Sequence, residues 1–179
     1  FINHNAYIFN TTIKENITMG KKDATDEEIY KVLKEANLDD FVNSLPNKLD
    51  TKVGEGGNIL SGGQKQRLCL ARTIIKNPDI YIFDEATSNI DVESEEKIWQ
   101  SIEKLSKDKT VIIISHRLLN VKNADKIYLL DNGTIVEEGN HKELMITNGL
   151  YKSLVDHQAE LENIYNEIED RKFKEIEVI

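Results

Sequence analysis

The chain has 179 residues, enough for one domain or most of one, and its 39% apolar content is sufficient for a core. With 32 acidic and 23 basic residues the net charge is −9, which argues against a general nucleic-acid-binding surface. The single cysteine, Cys69, excludes an internal disulfide framework, no apolar run reaches the ~18 residues of a membrane span, and no signal peptide is present.

From the N-terminus, residues 1–20 read as a strand end and a loop that leads into a short helix. Asp26 to Asn37 is a helix, because Ile29, Val32, Leu33 and Ala36 recur at i, i+3, i+4 and i+7. Thr25, three residues before Glu28, forms a capping box for it. A second short helix runs from Asp39 to Ser44 and stops before Pro46. Thr51 to Asn58 holds three glycines and is a loop. Ser61 caps the next helix, which extends to about Lys76 and is closed by Asn77-Pro78. Cys69 lies in that helix as a buried, inert thiol.

Strand and helix then alternate. Ile80 to Phe83 and Val111 to Ile114 are continuous apolar runs, expected of parallel strands buried on both faces. Between them Ile98, Ile102 and Leu105 line one face of a helix. Ile127 to Leu130 and Thr134 to Val136 form a hairpin about Asp131-Asn132-Gly133. His141 to Ile146 is a short helix. The chain is helical from Leu150 onward, where Leu161, Ile164, Tyr165 and Ile168 again recur at helical spacing, and its acidic end frays into solvent. His141 and His157 belong to no motif and are expected at the surface.

Three places carry chemistry. In open α/β sheets ligands bind at the C-terminal ends of the strands. Asp84 and Glu85 close one apolar strand, and Ser115-His116 follow the next. A carboxylate at a strand end can hold Mg²⁺ through water, and a neighbouring carboxylate can take a proton from an attacking water. An alternative is a solvated Asp-Glu pair that caps a helix. The third place is Ser61-Gly62-Gly63-Gln64 at a helix N-terminus, where glycine allows backbone N–H groups to approach a phosphate. For Asp91 the local reading is an N-cap for the helix that contains Glu93 to Leu105.

Leu60-Ser61-Gly62-Gly63-Gln64 with its continuation Lys65 to Arg72, and Ile80-Tyr81-Ile82-Phe83-Asp84-Glu85, together resemble the nucleotide-binding domain of an ATP-binding cassette (ABC) transporter. The resemblance covers about Phe1 to Gln158. It implies an α/β, P-loop NTPase-like ATPase domain without its N-terminal phosphate-loop part, since no Gly-x-x-x-x-Gly-Lys-Ser/Thr occurs in the sequence. The chain is thus expected to be the C-terminal part of a longer domain, inactive by itself. The expected division is a partial ATPase domain over 1–158, with a helical subdomain at 10–75 and a β/α portion at 78–148, followed by an acidic helical tail at 159–179.

The same resemblance assigns roles. Asp84 holds Mg²⁺, Glu85 is the catalytic base, and His116 is the switch histidine that contacts the γ-phosphate. Ser61, Gly62, Gly63 and Gln64 close on ATP bound to a partner domain in a head-to-tail homo- or heterodimer, and Asp91 contacts that partner. Phe9 to Ile17 resembles the segment after the Q-loop, which puts His4, or Asn3 or Asn5 after a one-residue change of register, where the family has glutamine. Thr51 to Gly57 resembles the exporter X-loop, near the coupling helices of a transmembrane domain in the same or a partner chain. The implied function is ATP hydrolysis that powers export at the cytoplasmic face of a cell membrane, with ATP and Mg²⁺. Two other readings are a soluble ABC-type ATPase of DNA repair, chromosome organisation or translation, and a non-catalytic cassette that completes a partner's site.

Overall fold

Caps and periodicities set the helices where the sequence places them. A computed structural model of the chain describes residues 1–3, 7–88, 90–161 and 164, and of Leu119 the backbone alone. His4, Asn89, Tyr165 and Ile168 lie outside the described residues, as does most of the acidic tail. The chain divides into two units, Phe1–Ile114 and Ser115–Ile179, and each is taken by itself.

The first unit contains β1 (Ile2–Asn3), α1 (Ile13–Thr18), α2 (Asp26–Glu35), α3 (Asp39–Ser44), α4 (Gly62–Ile74), β2 (Ile80–Asp84), α5 (Val92–Leu105) and β3 (Thr110–Ile114). Thr25 and Glu28 cap α2 reciprocally, and Ile29, Leu33 and Ala36 on its inner face are fully buried. The three strands form a parallel sheet in the order β1-β2-β3. Asn3 and Ile114 flank Asp84 in the register, so the C-terminal ends of all three strands share one edge.

The sheet is covered on one face. Tyr81 and Phe83 point into the core beside Ile98 and Ile102 of α5, with Val111 and Ile113 packed against the same cluster. On the opposite face Ile80, Ile112 and Ile114 are 54%, 46% and 51% exposed. Within these 179 residues the expectation of strands buried on both faces is therefore met on one face and not on the other. Residues of α1, α2, α3, α4 and α5 join Tyr81 and Phe83 in this unit's core cluster.

A polar clamp ties α4 to the loop ahead of α1. The fully buried Asn16 donates through Nδ2 to the carbonyls of Phe9 and Thr12, both at 3.0 Å. Its Oδ1 accepts from Phe9 N–H at 3.1 Å and from Arg72 Nη2 at 2.6 Å. Arg72 also donates through Nε to Asn16 C=O at 2.8 Å and through Nη1 to Tyr7 C=O at 2.9 Å, with its guanidinium 5.3 Å from the Phe9 ring centroid. Cys69 beside this clamp is half-buried, and burial pushes its thiol pKa up, which disfavours the reactive thiolate.

The second unit contains β4 (Ile127–Asp131), β5 (Thr134–Gly139), α6 (His141–Thr147) and a helix over 150–161, here α7. The β4-β5 hairpin turns at Asn132 (φ 47°) and Gly133 (φ 78°), the left-handed pair that a two-residue turn requires. Its core is Ile127, Leu144 and Tyr151. The Glu137 carboxylate accepts from the Leu150 and Tyr151 N–H groups and so caps α7 from the hairpin. His141 is not the surface residue the sequence suggests. Its Nδ1 lies 2.9 Å from the hydroxyl of fully buried Tyr151, against whose ring it packs edge-on. Leu161 and Ile164, expected on a common apolar stripe, are exposed. Among the described residues no helix is long and apolar enough to cross a membrane.

Candidate functional site

The strand β2 delivers Asp84 to the carboxyl edge of the sheet, and Glu85 is the first residue beyond it. Glu85 has φ 49°, a left-handed conformation that costs a non-glycine residue about 1–2 kcal/mol. Its backbone is held on both sides. The N–H donates to Ile114 C=O at 3.0 Å, and the C=O accepts from Ser88 N–H at 3.1 Å and from Ser88 Oγ at 3.0 Å. Thr87, in the same turn, is buried and donates through Oγ1 to Glu95 Oε1 at 3.1 Å. Non-glycine residues held in the left-handed region cluster where a side chain must be aimed.

The second group sits at the N-terminus of α4. Ser61 and Gln64 form a capping box, with Ser61 N–H donating to Gln64 Oε1 at 2.9 Å and Gln64 N–H to Ser61 Oγ at 3.2 Å. Gly63 has a packing reason that its sequence context does not reveal. A Cβ there would lie 2.1 Å from Ser94 Oγ and 2.3 Å from Ser94 Cβ. The N-terminus of α5 therefore rests directly on the α4 backbone. Asp91 caps α5 by accepting from Ser94 N–H at 2.8 Å. That bond, with help from the Ser94 hydroxyl and more weakly from Arg67, holds the Asp91 carboxyl below the usual carboxylate range.

Arg67, one turn into α4, is 6% exposed, and its Nε and Nη1 have no hydrogen-bond partner among the described residues. Burial lowers its pKa, against the pull of Asp91 and Glu93. Ser61, Gln64, Arg67 and Asp91 line a cleft of about 480 Å³ that neither Asp84 nor Glu85 reaches. The structure thus joins Ser61 and Gln64 to Asp91 in one cleft, whose lining does not include Asp84 or Glu85.

Helix propensity alone would favour alanine at position 63 by up to about 1 kcal/mol. Overpacking costs about 1–3 kcal/mol, and a contact near 2 Å belongs at the upper end, so the clash wins. Gly63→Ala is expected to destabilise the protein, and Ser94→Gly to restore it by clearing the space. Thermal unfolding of the two variants and their combination checks this. An unchanged midpoint in Gly63→Ala refutes the packing account.

His116, two residues past β3 in sequence, belongs to the second unit and is exposed. Its loop is fixed from α7 by Gln158, whose Oε1 accepts from Leu118 N–H at 2.9 Å and whose Nε2 donates to His116 C=O at 3.3 Å. Arg117 N–H donates to Ser115 Oγ at 2.9 Å. Glu95 and Gln158 are residues that sequence reasoning missed, since Glu95 meets Thr87 eight positions away in another element and Gln158 meets Leu118 and His116 40 and 42 positions away. Among the described residues no three His, Cys, Asp or Glu side chains group as a metal site. A lone carboxylate suits Mg²⁺, which keeps its water and takes the rest of its ligands from phosphate, so Asp84 fits that ion.

Residues 1–88 match the family model described as ABC transporter. An uncharacterised ABC transporter ATP-binding protein of Haemophilus influenzae is 51% identical over 163 residues, which cover 91% of this chain and 29% of that protein. A Staphylococcus aureus ATP-binding/permease protein, whose name proposes multidrug export, is 52% identical over 147 residues, covering 82% of this chain and 25% of its own length. The solved structure of a bacterial Atm1-family ABC exporter with ATP bound superposes with a TM-score of 0.80 at 39% identity, covering 88% of this chain and 28% of that one. The chain therefore spans less than a third of each of these relatives.

Proposed function

Because this chain is a partial ATPase domain of the ABC transporter family, we propose that it belongs to an exporter that hydrolyses ATP to drive transport across a cell membrane. The observation that carries this reading is the pair Asp84-Glu85 at the carboxyl edge of a parallel sheet, with Glu85 held in a left-handed turn by bonds on both sides. Such a turn aims a carboxylate away from the strand that bears its neighbour.

In the proposed reaction Glu85 takes the proton from the attacking water, and Asp84 is the residue that would hold Mg²⁺. When bound, the ion supplies positive charge against the phosphates of ATP. His116 donates to the γ-phosphate. The N-terminus of α4, where Gly62 and Gly63 let backbone N–H groups approach an anion, faces the γ-phosphate of ATP on a second ATPase domain. The separation of the Ser61–Asp91 cleft from Asp84–Glu85 within one chain favours this head-to-tail pairing. The transmembrane domain that selects cargo is in the same or a partner chain, with the ATPase portion at the cytoplasmic face. The 179 residues by themselves, with no phosphate loop, do not turn over ATP.

The test compares two histidines in the complete exporter at saturating Mg-ATP. His116→Ala is expected to lower kcat at least tenfold. His4→Gln, which restores the amide expected at that position, preserves or raises it. A His4→Gln variant as impaired as His116→Ala would show His4 to be a functional residue itself and would overturn its reading as a tolerated departure. Undiminished kcat in His116→Ala would remove that residue from the mechanism.

A further inference from the structure

A left-handed conformation at Glu85 persists only if the structure around it leaves no alternative. The strand side of that constraint is the bond from Glu85 N–H to Ile114 C=O, and the far side is the pair of bonds from Ser88 to Glu85 C=O. Between these anchors lie Ala86 and Thr87, both buried. Ala86 has no polar side chain with which to fix the turn. Thr87 does, and its hydroxyl is bonded outward to Glu95 Oε1 at 3.1 Å. The same oxygen lies 3.4 Å from Trp99 Nε1, which donates to it from one turn further along α5. The helix is fixed in turn by Ile98 and Ile102, each 3% exposed in the core. A continuous path of contacts therefore runs from the core through α5, Glu95 and Thr87 to the turn that carries Glu85.

We propose that Glu95 is a positioning residue for ATP hydrolysis, which through Thr87 locks the turn that aims the Glu85 carboxylate. The proposal rests on the reading of Glu85 as the general base. The bonds through which Glu95 acts here are those it accepts from Thr87 and Trp99, away from the reacting atoms. Its effect is on where the base stands, so it appears in the chemical step and not in nucleotide affinity. Small displacements of a catalytic group are costly in rate even when binding is unaltered.

The test is steady-state ATPase kinetics of the complete exporter. Glu95→Ala is expected to lower kcat about tenfold, with the KM for ATP within about twofold of the parent. Glu95→Gln keeps an oxygen acceptor for Thr87 and Trp99 and is expected to retain kcat within about threefold. Thr87→Val removes the donor and should reproduce the loss. Combined with Glu95→Ala it should be no worse than the weaker single variant, because both break one link. Parental kcat in Glu95→Ala overturns the proposal, as does a Gln variant as impaired as the Ala variant, or losses that multiply in the double variant. Glu85→Gln, assayed alongside, separates the two levels. If it abolishes turnover while Glu95→Ala does not, only the positioning role falls. If it leaves turnover intact, the reading of the base falls first.

Discussion

Replacing Glu85 with glutamine is expected to lower ATP turnover of the proposed complete exporter by about 10²–10⁴-fold and to leave ATP binding intact. The amide has nearly the shape of the carboxylate and cannot accept the proton. The bonds that hold the turn are made by the Glu85 backbone to Ile114 and Ser88, so the substitution leaves them in place. Nucleotide affinity, measured by equilibrium titration, should stay within about threefold of the parent, because general-base loss falls on the chemical step. The nucleotide-bound pair of ATPase domains should accumulate, since hydrolysis is its way out. Turnover at half the parental rate or better would mean that another residue is the base.

Asn16→Ala should produce the largest change in stability. The side chain is fully buried and serves four partners: the carbonyls of Phe9 and Thr12, the N–H of Phe9, and Arg72. Truncation leaves the Phe9 N–H and one arm of a guanidinium without an acceptor. Unmet buried groups cost about 1–3 kcal/mol each, and more when charged. Part of that is recovered because Arg72 keeps its bonds to Asn16 C=O and Tyr7 C=O. A net loss of roughly 3 kcal/mol follows. Hydrogen exchange of the amides over 7–18 should show it as about 10²-fold lower protection. A change of less than about threefold would mean that the loop is held by something other than this clamp.

The elements legible in the sequence were those specified locally. Thr25 and Glu28 announce α2 within four residues, Asp39–Ser44 was bounded correctly by its proline, and Asn132-Gly133 dictates the hairpin. The positions of the Ser61–Gln64 and Asp84–Glu85 runs, at a helix start and a strand end, were equally visible as motif. What the sequence concealed depends on distant partners. Nothing near Gly63 says that Ser94 lies against it, and nothing near Asn16 points to Arg72. The runs Ile80–Phe83 and Val111–Ile114 state that the strands are apolar. They do not state which face finds a cover, and here Ile80, Ile112 and Ile114 do not. His141 looked unattached because Tyr151, its partner, is ten residues on and belongs to another helix. The left-handed backbone at Glu85 has no local signature either, because it is imposed by Ile114 and Ser88.

The bonds from Gln158 to the His116 loop bear on where this protein may be trimmed. Every recognisable motif ends by His116, so a boundary drawn on motifs alone would be placed well before the last helix. Leu118 N–H donates to, and His116 C=O accepts from, a residue 40 and 42 positions further along the chain, respectively. A shortened version ending ahead of residue 158 would carry every motif named above and yet lose both of these bonds to the backbone on which its histidine is mounted. The boundary for expression, crystallisation or fusion is therefore set by a glutamine that belongs to no motif.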